Sequence, residues 1–137
     1  MILDTSAVVA ILLKEPGYDE LLQAMTDANP AIGTATLTET AIVLSARLNR
    51  DARPLLVRFL AEASITVVPF GESHYSSAVD AWLRYGKGRY RASLNFGDCL
   101  SYAVARLANE PLLFVGEDFA RTDITGPWAT CEQGGGG

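Results

Sequence analysis

A chain of 137 residues has room for one domain, and 49% hydrophobic with 20% charged residues gives it a core that needs no disulfides. Its net charge of −5 speaks against a uniformly basic, polyanion-coating surface, and Cys99 and Cys131 have neither zinc-site spacing nor the number for a disulfide framework. The apolar run at 7–13 is too short to span a bilayer and has no lysine or arginine before it, so the chain reads as a cytoplasmic protein with neither signal peptide nor membrane span.

Residues 1–3 form a short apolar strand. A helix follows over 6–13, ending before Pro16, and another over 18–26 with Leu21, Leu22 and Met25 on one face. Residues 31–34 read as a strand, and 36–49 as a helix whose apolar set is Leu37, Ile42, Val43 and Leu48. Pro54 stands where a first helical turn tolerates it, and 55–63 continue that helix. The β-branched stretch 65–70 reads as a strand. Residues 73–85 form a helix carrying Trp82 and Leu83, and Gly86 and Gly88 mark a loop. Residues 96–108 are helical, with Cys99 as a core residue, 112–115 are a buried strand, and 117–121 begin a short last helix. Strands separated by helices favour parallel pairing, because a parallel connection must cross over. The expected architecture is a single α/β domain over 1–133, a central, mostly parallel sheet flanked by helices. Residues 134–137 are a flexible glycine tail or an appended remnant.

Four acids stand out. Asp4 follows the first strand and Asp118 the last one, while Glu39 and Asp98 each fall in the first turn of a helix. In an open parallel sheet, strand C-termini and helix N-termini share one edge, where ligands bind. Each acid also has a plainer role, since acids near helix N-termini are favoured. Thr36-x-x-Glu39 is a capping-box pattern, and Asn95 with Asp98 a similar cap. For the set, the balance shifts. Asp4 sits among apolar residues without a nearby cation, and crowded carboxylates call for a divalent ion. An all-oxygen donor set suits Mg²⁺ or Mn²⁺, and metal-activated water is then the simplest nucleophile for phosphorus. The single histidine, His74, reads as a surface or capping residue. Thr5 and Ser6 are equally suited to bonding a ligating carboxylate and to capping the first helix.

Arg84, Lys87, Arg89 and Arg91 cluster between Asp80 and Asp98 with no acid between them, interleaved with Tyr85, Tyr90 and two glycines. Such a segment can hold a phosphate backbone and stack bases, or be a solvated loop.

Residues Ile2-Leu3-Asp4-Thr5-Ser6-Ala7, Glu39-Thr40-Ala41, Asn95 to Ala103 and Leu112 to Phe119 together resemble the four motifs of PIN-domain nucleases over nearly the whole chain. Length and the Tyr85-to-Arg89 segment resemble the VapC toxins in particular. The resemblance implies a PIN-like α/β/α sandwich and a Mg²⁺- or Mn²⁺-dependent endoribonuclease. It also implies Asp4 and Asp98 as principal ligands, with Glu39 completing the acidic pocket. A homodimer and inhibition by a cognate VapB-type antitoxin, as in a toxin–antitoxin pair, follow from it too. Many members carry an Asp where Gly116 stands, which leaves the fourth acid to Asp118, with Asp123 a weaker candidate.

Two other readings compete with this one. A phosphatase of the haloacid dehalogenase type needs a second Asp two residues after the first, where Ser6 stands; nucleotide-binding glycine loops are absent. A catalytically degenerate PIN-fold interaction module stays open; there, a partner peptide covers the groove and metal has no effect.

Overall fold

The computed structural model describes residues 1–88 and 93–124. Four short strands, β1 (Ile2–Leu3), β2 (Ala31–Gly33), β3 (Thr66–Val68) and β4 (Leu112–Leu113), make one sheet in the order β3-β2-β1-β4. All pair in parallel, with Ile2 opposite both Ala31 and Leu112, and Gly33 opposite Val68. Six helices supply the crossovers: α1 (Thr5–Leu12), α2 (Tyr18–Thr26), α3 (Thr34–Leu48), α4 (Arg53–Glu62), α5 (Glu72–Tyr85) and α6 (Phe96–Ala108). A single 3-10 turn, Phe119–Arg121, follows β4.

Successive strand residues face opposite ways, and the core divides accordingly. Leu3, Ile32 and Leu113 pack with Val8, Leu21 and Leu44 beneath α1 to α4. Ile2, Leu112 and Phe114 pack with Tyr102 and Val104 beneath α5 and α6. The result is an α/β/α sandwich, and Asp4 lies at the edge formed by the strand C-termini. At the end of β2, a Cβ on Gly33 would lie 2.7 Å from Val104 Cγ2, so glycine there lets α6 press against the sheet.

The expected elements all form, with informative differences at their ends. α3 begins at Thr34, directly from Gly33, and not at Thr36. The Thr34 hydroxyl is engaged with the Phe70 amide, 3.0 Å away. The Thr36-x-x-Glu39 capping box is therefore not made, and Glu39 lies in the second turn. The buried positions of α3 are Thr36, Thr40 and Leu44, while Ile42 is 65% exposed. A stripe at i, i+4, i+8 that mixes hydroxyls with leucine is masked by any apolar count. The expected strand 65–70 pairs only over Thr66–Val68, and 112–115 only over Leu112–Leu113. On α5, Trp82 and Leu83 are 43% and 50% exposed.

Candidate active site

Asp4 leaves β1 with its amide bonded to Leu113 O at 3.0 Å, which fixes it at the junction of β1 and β4. It is 4% exposed and is itself the N-cap of α1, accepting from Ser6 N at 3.0 Å. Capping of this helix thus falls to Asp4, not to Thr5 or Ser6, because the helix starts one residue earlier than expected. Three hydroxyl or amide donors converge on the carboxylate. Ser6 N and Ser6 Oγ (2.6 Å) take Oδ2, and Ser101 Oγ (2.6 Å) takes Oδ1. Ser6 Oγ in turn accepts from Val115 N at 3.0 Å, tying the segment after β4 to the same point.

Glu39 reaches the edge from the second turn of α3. Thr5 Oγ1 donates to its Oε1 at 2.6 Å and contacts Thr40 Oγ1 at 3.0 Å, while Thr40 donates to Thr36 O. The carboxylate lies over the start of α6. A Cβ on Gly97 would stand 2.1 Å from Glu39 Oε2, so only glycine leaves room for it.

Asp98 takes its expected capping role. It forms a reciprocal cap with Asn95, Asn95 N donating to Oδ2 at 3.0 Å and Asp98 N to Asn95 Oδ1 at 2.8 Å. Burial pushes its carboxyl up to about 7 against the lowering effect of the Asn95 amide. The charges of Asp4, Asp118 and Glu39 push the same way. Asp4, Asp118 and Glu39 thus lie near enough for their charges to act on Asp98. Asp118 is the outlying member: it is exposed, before the 3-10 turn, without a capping bond. Asp123 belongs elsewhere, accepting from Tyr102 Oη at 2.5 Å and pairing with Arg84 and Arg106 at 3.6 and 3.7 Å. Burial raises the Tyr102 phenol and its bond to Asp123 adds to this.

The donor chemistry fits a hard divalent cation, since the candidate ligands are all carboxylates, backed by hydroxyls. Among the described residues, no three of these acids close around a single ion. Mg²⁺ does not require that, because it keeps several waters and binds through one or two carboxylates plus substrate phosphate. His74 lies apart, its Nδ1 accepting from Gly71 N at 3.0 Å at the start of α5.

Of the basic segment, Arg84 is occupied within the fold, donating to Tyr85 Oη at 2.8 Å, stacked on the Tyr85 ring and paired with Asp123. Lys87 is exposed in the turn that follows α5. Arg89 and Arg91 lie outside the described residues, as do Cys131 and the glycine tail.

From the sequence, Thr36 has only a capping role and Thr40 and Ser101 only a place within motifs, whereas all three are buried beside the acids. The available signal was Ser101's place one helical turn after Asp98, hence on the same face of α6.

A profile of the PIN domain matches residues 1–124. Ribonuclease VapC36 of Mycobacterium tuberculosis is 44% identical over 126 residues, 90% of this chain and 91% of the relative. Ribonuclease VapC of Mycolicibacterium smegmatis is also 44% identical over 126 residues, covering 90% and 97%. Ribonuclease VapC30 of M. tuberculosis is 42% identical over 125 residues, covering 90% and 95%. A chain of a toxin–antitoxin complex from Klebsiella pneumoniae superposes with a TM-score of 0.65 at 19% identity, covering 89% of this chain and 92% of that one. No helix among the described residues is long and apolar enough to cross a membrane.

Proposed function

The chain belongs to the PIN-domain family, and from that premise we propose that it is a metal-dependent endoribonuclease acting as the toxin of a toxin–antitoxin pair. Three kinds of support converge. Relatives at 42–44% identity over nearly their whole length are named VapC ribonucleases. A chain of similar fold comes from a toxin–antitoxin complex. The observation that carries the chemistry is the crowding of Asp4, Glu39, Asp98 and Asp118 at one sheet edge, felt most by Asp98.

Asp4 and Asp98 are the residues suited to hold Mg²⁺ or Mn²⁺, with Glu39 beside them and Asp118 at the rim. When bound, such an ion polarises a phosphoryl oxygen and lowers the pKa of water. The protein's share is placement. The serine donors fix the orientation of the Asp4 carboxylate. Thr5 fixes Glu39 above Gly97, and the Asn95 cap fixes the Asp98 backbone at the mouth of the site. Lys87, with Arg89 and Arg91, is the natural contact for the RNA backbone beyond the acids, whereas Arg84 serves the fold first. A homodimer and a cognate VapB-type antitoxin are the proposed protein partners.

The test is cleavage of a mixed RNA pool by purified protein with Mg²⁺, with Mn²⁺ and with EDTA, beside Asp4→Asn. Discrete products that require both metal and Asp4 are expected. Cleavage that persists in the variant would remove Asp4 from the site. No cleavage and no metal binding by calorimetry would favour the interaction-module reading.

A further inference from the structure

We propose that Ser101 is a positioning residue that aims Asp4 at the cation, an inference that rests on the nuclease reading above. Ser101 is fully buried, one turn beyond Asp98 on α6. Its hydroxyl has one proton, and an ionised Asp4 can only accept. The 2.6 Å contact to Asp4 Oδ1 therefore uses that proton. The 3.2 Å contact with Thr36 Oγ1 must then run the other way, Thr36 donating to Ser101. The relay Thr36–Ser101–Asp4 thus joins three elements, α3 with Glu39 one turn on, α6 with Asp98 one turn back, and the end of β1.

The two oxygens of Asp4 are held differently. Oδ2 is held by Ser6, two residues away, through its amide, a bond that any Asp N-cap forms with its own helix, and through its hydroxyl. Those bonds set the carboxylate relative to α1 and leave its relation to Asp98 open. Oδ1 is held by Ser101, 97 residues away, from the helix that carries Asp98. Among the described residues this is the side-chain bond that sets the Asp4 carboxylate against α6, so the spacing of the two principal acids depends on it. Bonds behind a metal ligand orient it and raise its basicity, and their loss typically weakens metal binding by about 10–100-fold.

The experiment is calorimetric titration with Mn²⁺ on RNA-free protein, comparing wild type, Ser101→Ala and Ser101→Thr, with unfolding midpoints alongside. Ser101→Ala should weaken Mn²⁺ binding by about 10-fold or more. The Mn²⁺ concentration for half-maximal cleavage should rise by the same factor, with the rate at saturating Mn²⁺ near wild type. Ser101→Thr, which keeps the hydroxyl, should restore binding. Thr36→Val, which removes only the first donor of the relay, should weaken it in the same direction and by less. A merely structural serine would lower the unfolding midpoint and leave the affinity of the folded protein unchanged. Wild-type Mn²⁺ affinity in folded Ser101→Ala would overturn the inference and leave the nuclease reading standing. A wild-type chain that bound no Mn²⁺ would overturn both.

Discussion

At the scale of single residues, the site stores an electrostatic cost that depends on pH. Asp98 has its carboxyl raised to about 7 by burial first and then by Asp4, Asp118 and Glu39. The folded state therefore holds this proton more tightly than the unfolded chain does. Between about pH 4 and 7 the folded protein binds more protons, so stability falls as pH rises through that window. In metal-free buffer, Asp98→Asn should remove this slope and be the more stable form near pH 8. The gain should be on the order of 2 kcal/mol, once screening at a partly open site is allowed for. Urea unfolding at pH 5 and pH 8 checks it; parallel pH dependences of wild type and variant would remove the charge crowding from the account. Gly97 carries a second cost. Alanine is the better helix former by about 1 kcal/mol, yet its Cβ would collide with Glu39 Oε2. Gly97→Ala should stay folded and lose about 10-fold or more in single-turnover cleavage at saturating Mn²⁺. Undiminished cleavage would exclude Glu39 from the reacting arrangement.

At the scale of elements, α5 and α6 form a pair whose far end is locked by Tyr102, Asp123, Arg84 and Arg106. This lock holds the segment after the 3-10 turn against the sheet-covering helices, and it explains why Asp123 is absent from the acidic edge. Tyr102 is buried, so Tyr102→Phe should cost about 1–2 kcal/mol. Faster hydrogen exchange should be confined to the amides of residues 119–124. Uniformly faster exchange throughout the chain would mean that the bond supports the whole core instead. Lys87 lies in the turn after α5, and Arg89 and Arg91 follow it in the sequence. Arg89→Ala with Arg91→Ala should weaken binding to single-stranded RNA and flatten the plot of log affinity against log salt by roughly 1–1.5. An unchanged slope would take these arginines out of the interface.

For the whole molecule, a cation that binds the folded chain and not the unfolded one should stabilise it by mass action. At Mn²⁺ a hundred times its dissociation constant, the gain is about 2.7 kcal/mol, roughly a 9 °C rise in melting temperature for a domain of this size. Asp4→Asn should abolish that rise, and a wild-type melting temperature indifferent to Mn²⁺ would count against a metal site. Much of this architecture was legible from the chain itself. The alternation of β-branched strands with helices specified a parallel α/β sheet, because hydrophobic period is a local property. Asp4 and Asp98 stood out because each follows or opens an element whose boundary is marked by neighbouring residues. What stayed hidden depended on contacts between distant residues. Whether Glu39 caps a helix or reaches over Gly97 turned on α3 starting two residues early, which follows from Gly33 leading straight from β2 into the helix. Ser101, Thr36 and Thr40 look like small polar interruptions of helical faces until the fold brings them against Asp4, Thr5 and each other. The sequence alone determined the sheet and supplied the candidate acids, since both are written in nearest-neighbour pattern. Only the tertiary structure decided which hydroxyls hold the acids in place, since a hydrogen bond spanning 97 residues leaves no periodic trace along the chain.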